Sequence, residues 1–226
     1  MTTVEQQVQP LTAGDKLSRE EFLRIWEEHP EIKFAELIGG VVYMPSPLSI
    51  EHGDTDQNLG AWMCYYRTET PGTASGNNTT AFLLNDTPQA DGNLRILPEC
   101  GGKSRVKGKY LAGKPELFGE VCLTSAAYDL HQKLDLYEAA GIPEYLAVLM
   151  HEKEIRWHVL VDQVYQLMPP DADGIWRSRV FPGLWLDGKA FLAGNQARVF
   201  EVLKMGLASR EHQAFVKKLA KARRAR

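Results

Sequence analysis

The segment Leu117–Leu123, LFGEVCL, is an apolar run of strand length that contains a single acid, Glu120. Strands buried on both faces of a sheet read as such near-continuous apolar runs. A carboxylate placed there loses its water and needs a specific partner, because burying an unpaired charge is expensive. The run therefore predicts an interior strand with either a buried ion pair, for which Arg95 is the candidate, or a metal site at Glu120.

The 226 residues are enough for one substantial core, and no Pro/Gly/Ser-rich linker splits them, so one globular domain is expected. A net charge of -3 excludes a uniformly basic nucleic-acid wrapper but not a local basic surface around an acidic centre. Cys64, Cys100 and Cys122 show no CxxC spacing, which fits free thiols in a reducing compartment better than a zinc site or disulfide framework. The N-terminus has no apolar signal core, and no apolar stretch approaches the roughly 18 to 20 residues that span a bilayer. A cytoplasmic protein without membrane association is the expectation.

Along the chain, a polar and mobile N-terminus gives way to Ser18, Arg19, Glu20 and Glu21, an N-cap with an acidic first turn. A helix of about ten residues should bury Phe22, Ile25 and Trp26 and stop at Pro30. Lys33 to Met44, with Gly39 and Gly40 between two apolar runs, predicts a β-hairpin that holds Glu36 in its first strand and is closed by Pro45 and Pro47. From Glu51 to Arg67 the spacing of Leu59, Trp62, Met63 and Tyr66 predicts a second helix, with His52 near its start. Strands are expected at Thr80–Leu84 and Asn93–Leu97, then a Gly/Lys-rich loop, ECGGKSRVKGKYLAGK. A helix from Ala126 to Ala140 ends at Gly141 and Pro143 and presents Leu130, Leu134, Tyr137 and Ala140 inward. Strands Glu144–Leu149, Ile155–Leu160 and Val164–Met168 follow, then a helical tail from Val199 to Arg226. Its basic end, KKLAKARRAR, reads as a solvated terminus, with a phosphate-contacting arm as the sharper alternative.

Phosphodiester hydrolysis uses a metal to polarise the phosphoryl oxygens and to lower the pKa of the attacking water; hard Mg²⁺ or Mn²⁺ selects carboxylate and carbonyl oxygens. A nearby lysine can orient the water or stabilise developing negative charge, so Asp, Glu and Lys form a minimal set. Asp91 precedes one expected strand and Glu120 lies in another.

The segments AELIGGVVYMPSP, PQADGNLRI, FGEVCLTSAAYDLHQKLDLYEAAGIPEYLAV and PGLWLDG resemble the Uma-two family of restriction-endonuclease-like proteins, within the PD-(D/E)XK nuclease superfamily. The likeness runs from about Leu17 to Leu192 and is most specific around Glu120. The superfamily's usual lysine stands two residues after the Glu, where this chain has Cys122. The resemblance instead implies Lys133, from the following helix, as the catalytic lysine beside Asp91 and Glu120. It further implies Glu36 and His52 as accessory residues near a metal, and Tyr137 shares a helix face with Lys133. Gly39 where relatives carry an acid, and Ala90 where proline is usual, depart from the family's pattern without removing a ligand.

Each assignment has a plainer competitor. Asp91–Gly92 is also a turn-forming dipeptide, and Lys133 could pair with Asp129 one turn earlier. Tyr137 fits a core-edge aromatic, His52 a helix-start polar group, and Cys122 a small buried hydrophobe. Trp157, Trp176 and Trp185 read as packing groups of the later sheet. The expectation is an α/β fold, a restriction-endonuclease-like mixed sheet flanked by helices, with an N-terminal helix and β-hairpin and a C-terminal helical tail. Its parts are a mobile segment 1–16, a domain 17–192 and a basic tail 193–226. Asp91, Glu120 and the Val121 carbonyl would hold Mg²⁺ or Mn²⁺, and Lys133 would act on water in a nucleic acid substrate, DNA first. The alternative is a catalytically silent nucleic-acid-binding or protein-interaction module on the same fold. A homodimer would suit cleavage of both strands by two symmetry-related sites.

Overall fold

The computed structural model describes residues 8–44, 49–122 and 129–225. Helix α1 (Arg19–Glu28) starts as its sequence predicts: Ser18 Oγ accepts from the Glu21 amide, while the Glu21 carboxylate accepts from the Ser18 amide. This reciprocal cap satisfies two amides that a helix start otherwise leaves open. Phe22 of α1 is fully buried with Leu37 and Val42 of the hairpin β1 (Glu36–Ile38) and β2 (Val41–Tyr43). Burying one such ring stabilises by about 1.5–3 kcal/mol. The two-residue turn has Gly39 and Gly40 at φ 59° and 74°, the left-handed pair that matches the twist of two antiparallel strands. Ahead of α1, Leu11 is buried and the Gly14 amide donates to the Val42 carbonyl. Residues 1–7, Pro45, Pro47 and the expected helix start at Ala126 lie outside the described residues.

Helix α2 (Ile50–Glu69), capped by Ser49, buries Leu59, Trp62, Met63 and Tyr66 against a large mixed sheet. That sheet contains β3 (Thr73–Phe82), β4 (Gln89–Ile96), β5 (Lys103–Lys107), β6 (Tyr110–Lys114), β7 (Leu117–Cys122), β8 (Glu144–Leu149), β9 (Glu154–Val161) and β10 (Val164–Met168). Their order across the sheet is β10-β9-β8-β7-β4-β3-β6-β5. The β7/β8 and β3/β6 pairs are parallel and the rest antiparallel. Parallel neighbours need a crossover connection, and helix α3 (Leu134–Ala140), ending at Gly141 in the left-handed region, supplies it between β7 and β8.

Alternate residues of β7 enter opposite layers. Leu117 and Val121 pack with α2, α5 (Gln196–Leu207) and α6 (Arg210–Arg224), whereas Phe118 and Cys122 pack with α3. The first layer also receives the ribbon β11 (Ile175–Arg177) and β12 (Trp185–Asp187), which leads into the short α4 (Gly188–Leu192). Trp157 is fully buried and meets Trp62 edge-on, as expected of a packing group. At the centre Gly92 and Gly119 face each other across β4 and β7. A Cβ on Gly92 would lie 3.0 Å from the Met63 sulfur, and one on Gly119 would lie 2.9 Å from Met63 Cε. The missing side chains let α2 press directly on the sheet.

Four local expectations need correction. Asp91 and Gly92 lie inside β4, not ahead of it or in a turn, because the flanking residues pair with β3 and β7 on both sides. The Gly/Lys-rich stretch is no loop but the hairpin β5–β6, turning at Gly108 (φ 62°). The C-terminal helix is two helices, because Ser209 caps α6 by accepting from the His212 amide. The helix expected before Ala140 is, over Asp129–Lys133, a single wide π turn before α3.

Candidate active site

β4 and β7 part beyond their paired glycines. Gly92 pairs with Gly119, Asn93 with Phe118 and Leu94 with Leu117, and the next step of that register would set Asp91 opposite Glu120. On the other side of β4 the pairing also skips a step: Asn77 meets Gly92 and Thr79 meets Ala90, with Asn78 between them at φ 46°. Side chains bind the freed backbone. Asp91 Oδ2 accepts from the Val121 amide at 2.7 Å, and the Val121 carbonyl accepts from His52 Nε2 at 2.9 Å. A carbonyl can only accept, so His52 Nε2 carries a proton and donates. Among the described residues Nδ1 is buried without a hydrogen-bond partner.

Glu120, 3 % exposed, is met from the opposite layer. Lys133 Nζ lies 3.1 Å from Glu120 Oε1 and 3.1 Å from Glu36 Oε1, while the Tyr137 hydroxyl donates to Glu120 Oε1 at 2.8 Å. Glu36 reaches in from β1 and also accepts from the Gln89 amide of β4, which ties the hairpin to the site. The cation at Glu120 is thus Lys133 and not Arg95, which lies in the field of Glu116. The side chain of Asp129, the alternative partner for Lys133, lies outside the described residues. The geometry brings together Asp91, Glu120, Lys133, Glu36, His52, Tyr137 and the Val121 peptide. Cys122 packs in the apolar layer beside α3, as a small hydrophobe would.

Two polar residues escaped the sequence reading. Asp56 lies one turn after His52 on α2, and its Oδ1 is buried with no hydrogen-bond partner among the described residues. Burial raises the Asp56 pKa, against the pull of His52 and a hydrogen bond from Asn78. The i,i+4 spacing from His52 was the available signal; the left-handed Asn78 left none. Burial likewise pushes the Asp91 carboxyl up to about 6, opposed by Lys133, by the Val121 amide and by His52, while Asp56 adds repulsion.

One ammonium, Lys133, thus serves Glu36, Glu120 and Asp91, and Asp56 adds a fourth carboxylate. Such an excess of buried negative charge, built from hard oxygen donors, suits a divalent cation of the Mg²⁺ type. Among the described residues no group of three or more His, Cys, Asp and Glu side chains is already gathered around one point as a metal cage. The fit therefore rests on Asp91, Glu120 and a backbone carbonyl, a donor set in which water or substrate oxygens would complete the shell.

A large mixed sheet flanked by helices, with an N-terminal helix and hairpin and C-terminal helices, places the chain in the restriction-endonuclease-like class of α/β folds. The Uma2 family model, described as putative restriction endonuclease, matches residues 19–189, and the chain belongs to that family. The fold is shared with a crystal structure described as a putative nuclease belonging to DUF820, from Anabaena variabilis. That likeness has a TM-score of 0.59 at 15% identity and covers 78% of this chain and 99% of the other. Comparison with curated proteins gives no match. Among the described residues no helix is long and apolar enough to cross a membrane.

Proposed function

We propose that this chain is a Mg²⁺- or Mn²⁺-dependent endonuclease that hydrolyses phosphodiester bonds in DNA. The observation that carries the reading is the placement of Asp91 and Glu120 at the point where β4 and β7 part, with Lys133 against Glu120 and the Val121 peptide bound by Asp91 and His52. Asp91, Glu120 and the Val121 carbonyl would hold the ion, which supplies phosphoryl polarisation and a more acidic water.

The residues around them divide the remaining work. Lys133, ion-paired with Glu36 and Glu120, is a fixed ammonium that can donate to a water or to a phosphoryl oxygen but cannot take a proton. Tyr137 fixes the Glu120 carboxylate by donating to Oε1, so that the acid does not rotate as charge develops. His52 holds the Val121 carbonyl and thereby the backbone on which the two acids are aligned. Two copies related by a two-fold axis would present two sites to a duplex, which makes the oligomeric state in solution part of the proposal.

The test is direct. Purified protein with Mg²⁺ or Mn²⁺ is expected to nick supercoiled DNA, EDTA to stop it, and Glu120→Ala to abolish it. Absence of cleavage on single-stranded, duplex and structured substrates would refute the reading. One observation favours a module without turnover: Glu120 Oε1 is already engaged by Lys133 and Tyr137. Salt-dependent DNA binding that Glu120→Ala leaves unchanged, without turnover, would select it.

A further inference from the structure

The β5–β6 hairpin carries Lys103, Arg105, Lys107, Lys109 and Lys114 and no acid, in a chain whose net charge is -3. β5 is an edge strand of the sheet, and charged edges can serve only to block pairing with another chain. Two observations exceed that role. Lys103 lies directly opposite Lys114, a like-charge pairing that destabilises an antiparallel ladder. The cations are also positioned by aromatic rings: Lys107 Nζ lies 6.0 Å and the Arg19 guanidinium 5.4 Å from the centre of Phe82, and Lys109 Nζ 5.2 Å from that of Tyr110. Arg19 comes from α1 and is held there by donating to the Leu84 carbonyl at 2.6 Å.

Arg19, Lys107 and Phe82 line a cleft of about 460 Å³ whose other walls include Gly40, Glu20 and Asp86. Of the acids in the cleft, Asp86 accepts from the Gly40 amide and Glu20 sits beside Arg19, while outside it Glu27 lies 3.9 Å from Lys109. Lys103 stands in the field of the buried Glu116. Among the described residues Arg105 and Lys107 form no ion pair. The cleft adjoins the candidate active site through the β1–β2 hairpin, which has Gly40 at its turn and Glu36 at its other end, about 10 Å of strand away. Across the sheet, β5 is three strands from β4, about 14 Å at the usual strand spacing.

We propose that Arg105 and Lys107, with Arg19, form a contact surface for the phosphate backbone of nucleic acid, which steers a duplex across the sheet edge toward Asp91 and Glu120. The inference rests on the nuclease reading for its substrate but not for its own test. A span of at least about 14 Å corresponds to about four or more base pairs of duplex, so the phosphates bound here flank the one at the acids. Backbone contact of this kind carries no sequence preference.

The test is fluorescence anisotropy of a labelled 30-base-pair duplex with the full chain in EDTA, from 50 to 200 mM salt. Arg105→Gln with Lys107→Gln, both on exposed positions, is expected to weaken binding about 5- to 30-fold at 100 mM salt and to lower the salt slope by about 2, equally for two unrelated sequences. Arg19→Gln, read alongside its thermal midpoint, should add to that loss. Lys217→Gln with Lys218→Gln on α6 is expected to leave both quantities unchanged. An unaltered affinity for the hairpin variant, or a loss found in the α6 variant instead, would overturn the proposal. Cleavage by a wild-type chain whose hairpin variant binds normally would defeat the surface and spare the nuclease. Binding that depends on the hairpin, without any cleavage by the wild type, would do the reverse. No binding by the wild type would refute the surface.

Discussion

Two acids on adjoining parallel strands, Glu120 of β7 and Glu144 of β8, are buried to almost the same degree yet satisfied in opposite ways. Among the described residues Glu144 accepts from neutral donors: the Ser178 hydroxyl at 2.7 Å and the amides of Arg179 and Val180 at 2.6 and 3.1 Å. It pins the segment before β12 to the start of β8, and burial raises its pKa. Glu120 instead shares an ammonium with a second carboxylate and lies toward the carboxyl end of its strand, where parallel sheets leave room for ligands. A buried acid closed off by neutral hydrogen bonds is a structural rivet. One held with a second carboxylate around a shared ammonium is the one we propose for chemistry.

The contrast is testable from its largest effect downward. Glu120→Gln keeps the shape but removes one of the carboxylate charges facing Lys133, and is expected to lower DNA cleavage by at least about 100-fold with the thermal midpoint nearly unchanged. If cleavage persists, Glu120 belongs with Glu144. Glu144→Leu strands a hydroxyl and two amides in the interior and should cost about 2–4 kcal/mol in urea denaturation, with cleavage per folded molecule intact. Tyr137→Phe removes one donor to Glu120 Oε1; a drop in cleavage of about 10-fold and a stability loss of about 1–2 kcal/mol are expected. A stability loss without a rate effect would reduce Tyr137 to a core aromatic.

The smallest effect concerns pH. With its folded pKa at about 6, above the ordinary carboxyl value of 3.8, Asp91 binds more protons in the native state between those limits. Stability of the metal-free protein should therefore fall as pH rises through that window and stay lower above it. Asp91→Asn removes that dependence and, at pH 8, should raise stability by about 1 kcal/mol while abolishing cleavage. In the wild type, Mg²⁺-dependent protection against thermal unfolding should grow as pH rises through about 6, because the ion displaces a proton. Protection independent of pH would separate Asp91 from the ion.

The same contrast marks what could be read from the sequence. A lone acid in an apolar strand flagged Glu120, yet Glu144 opens a strand just as apolar, EYLAVL, and was read as a boundary residue. Nothing in the strand itself says whether the partner will be a cation or a backbone amide, since both arrive from elsewhere in the chain. Lys133, Glu36 and His52 came from family likeness, and local spacing could not have joined residues from three separate elements. The β5–β6 hairpin was missed because an edge strand faces water on most sides, so Lys103, Arg105 and Lys107 look like loop composition. The break between α5 and α6 was legible in principle: Ser209-Arg210-Glu211 repeats the Ser18-Arg19-Glu20 pattern that opens α1. Element types elsewhere followed from periodicity, because the apolar spacing that predicts a helix or strand is the same spacing that packs it.

Gly92 and Gly119 act as the gauge of this molecule. Helix α2 rests on the bare backbone of the two strands, and it carries His52 and Asp56 toward the place where those strands part. The spacing between helix and strands is therefore filled by the side chains of Leu59 and Met63 alone. One methyl group at either glycine would displace the flexible end of Met63 and crowd Leu59, so the layer that carries His52 and Asp56 has no slack for a second side chain from the strands.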